Sequence, residues 1–309
     1  MINFRFHLVS LVAVFLALAV GVVMGYGVLG QPTVETLEDR INTVEAKAEA
    51  TRLENGALKA GVEQLEETLD ALEPFTVTDR LADASVLVVA VRGVDPETMQ
   101  GITELARRAG ASAPGILWIE APWTLAEAED RGALAAAIEV DSARRSAIRE
   151  RGWQALIERL NQGPGLASDL LSTLTDAGFV SFEGVDGNVA LGDVGGLGTQ
   201  VLLVVGTDGV VQGRHVLVPA AQAAVEAGLP ITAAEVYGAI EGGPERGSLV
   251  GLVRKDEALA ADVPTVDDVD LPSGSAVALL ALADLARGTV GHYGVGQGST
   301  AAVPEWWQP

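Results

Sequence analysis

The feature that most constrains the fold of this chain is an uncharged apolar stretch of 22 residues, from Leu8 to Leu29. As an α-helix it would be roughly 33 Å long, which is enough to cross the hydrocarbon core of a bilayer. A cleaved signal peptide usually has a shorter apolar core and a small-residue exit, and a buried core helix is seldom so uniformly apolar. Both stay open as alternatives, and we predict a transmembrane helix over residues 8–29.

The charges that flank this stretch predict its orientation. Arg5 and the amino terminus precede it, whereas the acidic residues Glu35, Glu38 and Asp39 follow it. Basic residues favour the cytoplasmic side of a membrane. We therefore expect residues 1–7 to be cytoplasmic, the anchor to pass the cell membrane once, and the bulk of the chain to be extracytoplasmic.

Small residues recur along the apolar stretch at intervals of four. Small side chains on one helix face let two membrane helices approach closely enough to pack. Alanine and glycine are also common in membrane helices that do not associate, so self-association is one of two interpretations. The residues on this face are Ala13, Ala17, Gly21 and Gly25.

A heptad pattern follows the apolar stretch without a break in register. Twelve positions form a narrow stripe, typical of a coiled-coil seam rather than of the wider face of a domain helix. We predict a coiled-coil stalk over residues 33–73, about 60 Å long, that leaves the bilayer. The seam residues are Val34, Leu37, Ile41, Val44, Ala48, Thr51, Asn55, Leu58, Val62, Leu65, Leu69 and Leu72.

One polar residue in the seam, Asn55, indicates which kind of helix pairs with the stalk. An asparagine at this kind of position favours a parallel, in-register dimer in which two copies of Asn55 meet. Gly56 and Gly61 each weaken the helix by roughly 1 kcal/mol relative to alanine, so the stalk is marginal alone. A homodimer, a helix from another protein, and a fold back onto the chain's own domain are the three alternatives.

From residue 80 to residue 290 the sequence alternates between strand-like and helix-like segments. The segment 84–93, "ASVLVVAVRG", is a continuous apolar run, typical of a strand buried on both faces. A helix follows it, with Asp95 as the predicted N-cap and Pro96 in the first turn. Such alternation predicts an α/β domain, with a mostly parallel sheet covered by helices on both faces. Pro74 is the expected end of the stalk before it.

The residue types exclude several kinds of chemistry. Cysteine is absent, and the three histidines, His7, His215 and His292, are far apart in the sequence, which leaves no paired spacing for a metal. No phosphate-binding loop or nucleophile elbow is present. With 42 acidic and 20 basic residues the net charge is −22, which disfavours nucleic acid as a partner. We expect a protein that is not an enzyme and has no cofactor.

Two further segments are singled out by composition. The run "DDVD", residues 267–270, lacks the pattern of a calcium loop, and we expect a solvated acidic loop there. The tail, residues 291–309, combines many glycines with aromatic residues. It either packs its aromatic side chains on the sheet or forms a docking strip for a partner. The residues of that possible strip are His292, Tyr293, Trp306 and Trp307.

The whole layout resembles the actinobacterial family named for mycobacterial copper transport protein B. The opening "RFHLVSLVAVFLALAVGVVMGYGVL", the heptads and the terminal "GHYGVG" carry the resemblance. The resemblance implies copper homeostasis or efflux at the cell envelope. It also implies an alternative, an envelope scaffold that works with a cell-division partner and regulates daughter-cell separation through its coiled coil. It supplies no motif whose residues could be carried over as metal ligands.

The residues themselves argue against direct handling of copper by a single copy. Cu(I) prefers cysteine and methionine ligands, and the three methionines, Met1, Met24 and Met99, are widely separated. One membrane helix cannot enclose a pore. We therefore predict that any copper role is indirect or requires a partner, with copper as a ligand implied by the resemblance alone.

Overall fold

The computed structural model describes most of the chain, and by its internal contacts the chain divides into two compact units. These are Met1–Glu66 and Glu67–Pro309. Each unit is described by itself. The described residues are 4–27, 31–142, 144–165, 169–185, 189–238, 243–271 and 273–305.

The first helix, α1 (Phe4–Gly27), contains the uncharged stretch. Its segment Phe4–Tyr26 is long and apolar enough to cross a membrane, and none of it is buried within the chain. A core helix of the chain would have its apolar side chains buried, so that alternative does not fit α1. Length and composition alone do not separate an anchor from a signal sequence, which also lies at the amino terminus.

The second helix, α2 (Gln31–Val77), is 47 residues long and contains the heptads. It continues past Pro74, where the sequence predicted its end. The last turn is held by two contacts: Val77 is fully buried, and the Glu73 carboxylate accepts a hydrogen bond of 3.1 Å from the backbone N–H of Ala276. These contacts outweigh the helix hydrogen bond that proline cannot donate. A long helix is therefore present, whereas its pairing into a coiled coil stays a prediction.

The body is built on a seven-stranded sheet with the order β3-β2-β1-β4-β5-β6-β7. Every neighbouring pair is parallel except β2 and β3, which are antiparallel. The predicted α/β class with a mostly parallel sheet is confirmed, with an antiparallel strand at one edge. The strands are β1 (Ser85–Val91), β2 (Gly115–Ile119), β3 (Val180–Gly184), β4 (Thr199–Gly206), β5 (Ile231–Val236), β6 (Thr265–Val266) and β7 (His292–Tyr293).

Helices cover both faces of this sheet. Strand β1 shows why its sequence is apolar throughout: Leu87, Val89 and Val91 belong to one hydrophobic core, and Val86 and Val88 belong to the other. Helices α5 and α7 contribute to the first core, and α3 and α10 to the second. The helices of the body are α3 (Pro96–Arg108), α4 (Ala128–Ala137), α5 (Arg145–Gln162), α6 (Leu170–Asp176), α7 (Leu217–Ala227), α8 (Gly251–Arg254), α9 (Glu257–Asp262) and α10 (Gly274–Leu285).

Local sequence explains the β1–α3 junction. The Asp95 carboxylate accepts a hydrogen bond of 2.9 Å from the backbone N–H of Thr98, and Pro96 begins the helix, as predicted. Between them and β1, Gly93 has a φ of +106° and lies against the backbone of Asp208, which follows β4. Strand β1 lies between β2 and β4 in the sheet. At its carboxyl end the loop that contains Gly93 packs closely against the loop after β4.

Candidate functional site

Charged side chains converge at the carboxyl edge of the second half of the sheet. Glu235 lies near the end of β5, Asp267, Asp268 and Asp270 follow β6, and His292 lies in β7. Because these three strands are parallel neighbours, their ends meet at one edge. This group of residues is the densest collection of buried carboxylates in the described part of the chain.

Asp267 is the centre of this group and is fully buried. Its Oδ2 pairs with Nη1 of Arg254 at 2.8 Å, and the Arg254 side chain is only 4% exposed. Its Oδ1 accepts hydrogen bonds from the backbone N–H groups of Val295, at 2.9 Å, and Gly296, at 2.8 Å. Arg254 also donates to the carbonyl oxygens of Tyr293 and Gln297. The pair therefore fastens the segment after β7 to the body.

Glu235 has a similar role for the segment before α8. Its carboxylate accepts three backbone N–H hydrogen bonds, from Gly247 and Leu249 at 3.0 Å and from Val250 at 3.1 Å. Burial raises the pKa of the Glu235 carboxyl, and the three donors act in the opposite direction. The carboxylate replaces the backbone acceptors that this turn lacks.

Asp270 and Arg246 form the outer pair of the group. Two parallel hydrogen bonds of 2.7 Å join the guanidinium to the carboxylate, the bidentate geometry that arginine favours. The same guanidinium lies 4.7 Å from the ring centroid of Tyr237. The hydrogen bond to Asp270 raises the pKa of Arg246 above the ordinary value for arginine, so the guanidinium stays charged.

Asp268 is the exception in the group. It is 7% exposed, and its buried Oδ1 has no hydrogen-bond partner among the described residues. Burial, and next the charge of Asp267, raises the pKa of the Asp268 carboxyl to about 6. The expectation of a solvated acidic loop over residues 267–270 is therefore wrong for Asp267 and Asp268, which are buried, whereas Asp270 is exposed and paired with Arg246.

His292 and Tyr293, the first half of the possible docking strip, form β7. The Nδ1 atom of His292 lies 3.0 Å from Oγ1 of Thr265, and Tyr293 is 6% exposed. Little of the tyrosine ring is therefore accessible to a partner. Trp306 and Trp307, the other half of the strip, lie outside the described residues.

The donor set of this group suits a structural clamp better than a copper site. The carboxylates of Glu235, Asp267 and Asp270 already bind arginine or backbone N–H groups, and Cu(I) prefers sulfur to any carboxylate oxygen. Among the residues that the structure describes, no group of three or more histidine and carboxylate side chains has the arrangement of a metal site. His7 lies in α1 of the first unit, whereas His215 precedes α7 and His292 lies in β7 of the second.

The two long helices carry the other predicted sites. The small residues of the possible packing face, Ala13, Ala17, Gly21 and Gly25, all lie in α1, and a Cβ atom added to either glycine would meet nothing within 4 Å. On α2, the described leucine, isoleucine and valine side chains of the seam are 40–64% exposed. Ala48, Thr51 and Asn55 are exposed as well. Val34 belongs to α2, but its side chain lies outside the description.

Sequence reasoning missed the buried carboxylates, although one signal was available. "DDVD" directly follows "VPTV", a short segment whose last two residues form β6. Acidic residues at the carboxyl end of a strand lie at the sheet edge where polar sites form. Their burial depends on Arg254 and on the tail, which no local pattern connects to them.

Comparisons with known proteins agree on one family over nearly the whole chain. Residues 1–304 match the model of a family described as copper transport outer membrane protein, MctB. A protein of Mycobacterium leprae named copper transporter MctB is 28% identical over 99% of this chain and 100% of its own length. Its namesake in Mycobacterium tuberculosis H37Rv is 25% identical over 98% of this chain and 99% of its own length.

Proposed function

Since the chain belongs to the family of the copper transport outer membrane protein MctB, we propose that it serves copper transport at the cell envelope as a membrane-anchored assembly component. In this proposal α1 is the anchor, with the amino terminus inside and the body extracytoplasmic. Copper is the cargo of the assembly, and this chain contributes the anchor, the stalk and a folded body. We propose no catalytic step.

The exposed stripe on α2 is the observation that carries this proposal. Leucine, isoleucine and valine recur at heptad spacing along the helix, and each of those described is 40–64% exposed. Exposed apolar area costs roughly 25 cal/mol per Å² relative to buried area. A second helix against the stripe would bury most of it, so the stripe favours pairing.

Two features favour a second copy of the chain as that partner. Asn55 lies in the seam, where a pair of asparagines favours a parallel dimer in register. The small residues of α1 would let two anchors pack against each other, and tethered anchors raise the effective concentration of the stalks. A helix from another protein is the alternative occupant of the stripe.

The ligand chemistry of the chain supports an indirect role in copper handling. The sequence has no cysteine and only three methionines, and Met24 and Met99 lie in α1 and α3 of different units. A soft ion needs clustered sulfur ligands. We propose that a partner or a higher assembly supplies the copper pathway.

A second candidate function rests on the same stripe. An exposed heptad seam on an envelope protein could recruit a partner of cell division, and the chain would then be a scaffold that regulates daughter-cell separation. In that case loss of the seam would disturb separation of daughter cells and leave copper levels unchanged.

Substitution of one seam residue tests the assembly. Leu65→Asp places a charge where the seam would be buried without a partner, and we expect it to abolish cross-linking of α2 to its partner. Ala60→Asp adds the same charge to the opposite side of the helix, on an exposed residue, and is the matched control. Each variant is expressed in a host strain from which the host's own member of the family has been deleted.

Three measurements then separate the functions. Cell-associated copper and growth under copper stress should change with Leu65→Asp and not with Ala60→Asp, if assembly serves copper transport. Normal copper together with chained cells would favour the scaffold. Chelator competition on the purified full chain in detergent tests the indirect role, since stoichiometric binding of Cu(I) at submicromolar affinity would refute it.

A further inference from the structure

A cluster of unmatched positive charge lies around the amino termini of α5 and α7. Arg131, Arg145 and Arg149 all donate hydrogen bonds to backbone carbonyls of residues 124–126, which follow β2. Arg214 lies in the turn before α7. We call Arg131, Arg145, Arg149 and Arg214 the arginine cluster. None of the four forms an ion pair with a described carboxylate, in a chain with 42 acidic residues.

Arg149 is the member that points most directly to a ligand. The residue is 8% exposed, and its buried Nε has no hydrogen-bond partner among the residues that the structure describes. The one hydrogen bond the structure gives its guanidinium runs from Nη2 to the carbonyl oxygen of Thr124, at 3.0 Å. Burial, and next the charge of Arg145, lowers the pKa of Arg149. A buried cation without an anion is costly, so this arrangement is unfavourable on its own.

The amino terminus of α5 adds to this positive charge. The helix has 18 residues, Arg144 at its N-cap makes no side-chain capping bond, and its first turn has no acidic residue. The backbone N–H groups of Arg145, Ser146 and Ala147 have no described acceptor. A helix amino terminus carries a partial positive charge and attracts anions. Natural sequences place acidic residues there, whereas this one places arginines.

The geometry brings these elements to one place. Side chains of a helix lean toward its amino terminus, so we expect Arg149, one turn after Arg145, to lean toward the uncapped first turn. Helix α7 also begins without a side-chain cap, and Nε1 of Trp153 in α5 donates a hydrogen bond of 3.0 Å to the carbonyl oxygen of His215 just before it. Burial and the charges of Arg149, Arg214 and Arg145 lower the pKa of His215.

We propose that the arginine cluster and the amino terminus of α5 form a binding site for an oxyanion of the phosphate type. Arg145 and Arg214 contact the anion from the exposed side, Arg149 from beneath, and the free N–H groups of the first turn complete its coordination. Guanidinium groups and helix N–H groups together are the usual recognition elements for phosphate. The ligand is a free phosphate or the phosphate of a lipid headgroup. This site is independent of the proposed role in copper transport.

The test uses the full chain in maltoside detergent, which contains no phosphate. Inorganic phosphate is titrated at constant ionic strength, with chloride as the reference anion, while the imidazole signals are followed by NMR in protein with labelled histidine. Only three histidines are present, so His215 can be resolved. We expect a saturable shift of the His215 signals with phosphate and an upward change of its pKa, because the anion offsets the neighbouring arginines.

Two variants of α5 assign the effect to the cluster. Arg145→Gln removes an exposed member of the cluster, and Arg151→Gln makes the same change on the same helix at an exposed residue whose only described partner is Gln154. Removal of one charge-assisted contact should weaken phosphate binding by about tenfold or more, and Arg151→Gln should leave it unchanged. Unchanged circular dichroism would show that both variants fold.

Mixed micelles with phosphatidylglycerol distinguish the two sources of phosphate. A response to these micelles but not to inorganic phosphate, lost in Arg145→Gln, identifies a headgroup as the ligand and supports the site. A response to inorganic phosphate with the same dependence identifies a free phosphate. The proposal is overturned if neither probe shifts His215 beyond the effect of chloride, or if Arg145→Gln and the wild type respond equally.

Discussion

The Asp267–Arg254 pair makes a sharp prediction about the stability of the body. Asp267→Asn keeps the shape of a fully buried side chain and removes its charge. The Oδ1 position can still accept hydrogen bonds from Val295 and Gly296. The amide nitrogen of the new side chain then faces the Arg254 guanidinium, and because both groups are hydrogen-bond donors, no hydrogen bond forms between them. The buried arginine keeps its positive charge but loses the carboxylate that neutralised it.

The structure sets the size of the effect. The Arg254 side chain is 4% exposed and lies 2.8 Å from Asp267, so solvent cannot replace the lost carboxylate. Removal of one partner from a buried pair destabilises a protein by about 3–5 kcal/mol. The remaining hydrogen bonds of Arg254 to Thr265, Tyr293 and Gln297 orient the guanidinium but do not neutralise it. We expect the loss to fall within that range.

The neighbouring carboxylate is the matched control, with the opposite sign. Burial raises the pKa of Asp268 from 3.8 to about 6, so its ionisation in the folded state opposes folding by roughly 3 kcal/mol at neutral pH. Since the folded pKa exceeds the unfolded one, this cost is absent below about pH 4 and grows as the pH rises toward 6. Asp268→Asn should therefore remove the cost, offset in part by an amide without a partner.

Denaturant unfolding of the full chain in detergent measures both variants. The buried residues Trp118, Trp123 and Trp153 report on the body by fluorescence, and the midpoint and slope give the free energy of unfolding. We expect a loss of about 3–5 kcal/mol for Asp267→Asn and no loss at neutral pH for Asp268→Asn. Equal losses for the two variants would refute the assignment of distinct roles to the adjacent carboxylates.

Three further predictions concern the stalk, the sheet and the topology. Asn55→Leu should raise the thermal midpoint of α2 and broaden the distribution of oligomers in sedimentation, because a paired asparagine fixes the register and oligomeric state at a cost in stability. Unchanged sedimentation would contradict self-pairing. Gly93→Ala should destabilise the body by about 1–3 kcal/mol or more, since Gly93 has a φ of +106° and an added Cβ would clash with the backbone of Asp208. Gly101→Ala on α3, with open space around it, is the control and should be neutral or stabilising in the same unfolding assay. A reporter that is active only outside the cytoplasm, fused after residue 309, should be active, and activity of a cytoplasmic reporter alone would reverse the orientation.

The parts of the fold that could be predicted are those set by local pattern. The continuous apolar run of β1 indicated a strand buried on both faces, and Asp95 with Pro96 located the start of α3. Strands β6 and β7 have two residues each, too few to show a periodicity. The antiparallel direction of β3 is set by the path of the connection from α6 to β3. The short sequence of β3 does not specify that path.

The charged sites were less predictable because they depend on distant partners. Nothing local in "DDVD" distinguishes a solvated loop from a buried group, and the deciding residue, Arg254, lies 13 positions before Asp267. The arginine cluster joins residues of α4 and α5 with the turn before α7, so its members are scattered in the sequence. The end of α2 shows the same limit, since Glu73 and Val77 override Pro74 only through contacts made by the folded body.

The carboxylate group at the ends of β5 to β7 and the arginine cluster differ in how their buried charges are neutralised. At the ends of β5 to β7, Asp267 and Asp270 each have an arginine at hydrogen-bonding distance, so two of the four carboxylates there are neutralised within the fold. In the first half of α5, Arg149 is buried, and within the described part of the chain its one hydrogen-bond partner is a carbonyl oxygen. A chain of net charge −22 has many carboxylates available for such a position. An arginine left without one is best explained by an anion that the chain does not encode, and phosphate binding measured in Arg145→Gln against Arg151→Gln decides whether that explanation holds.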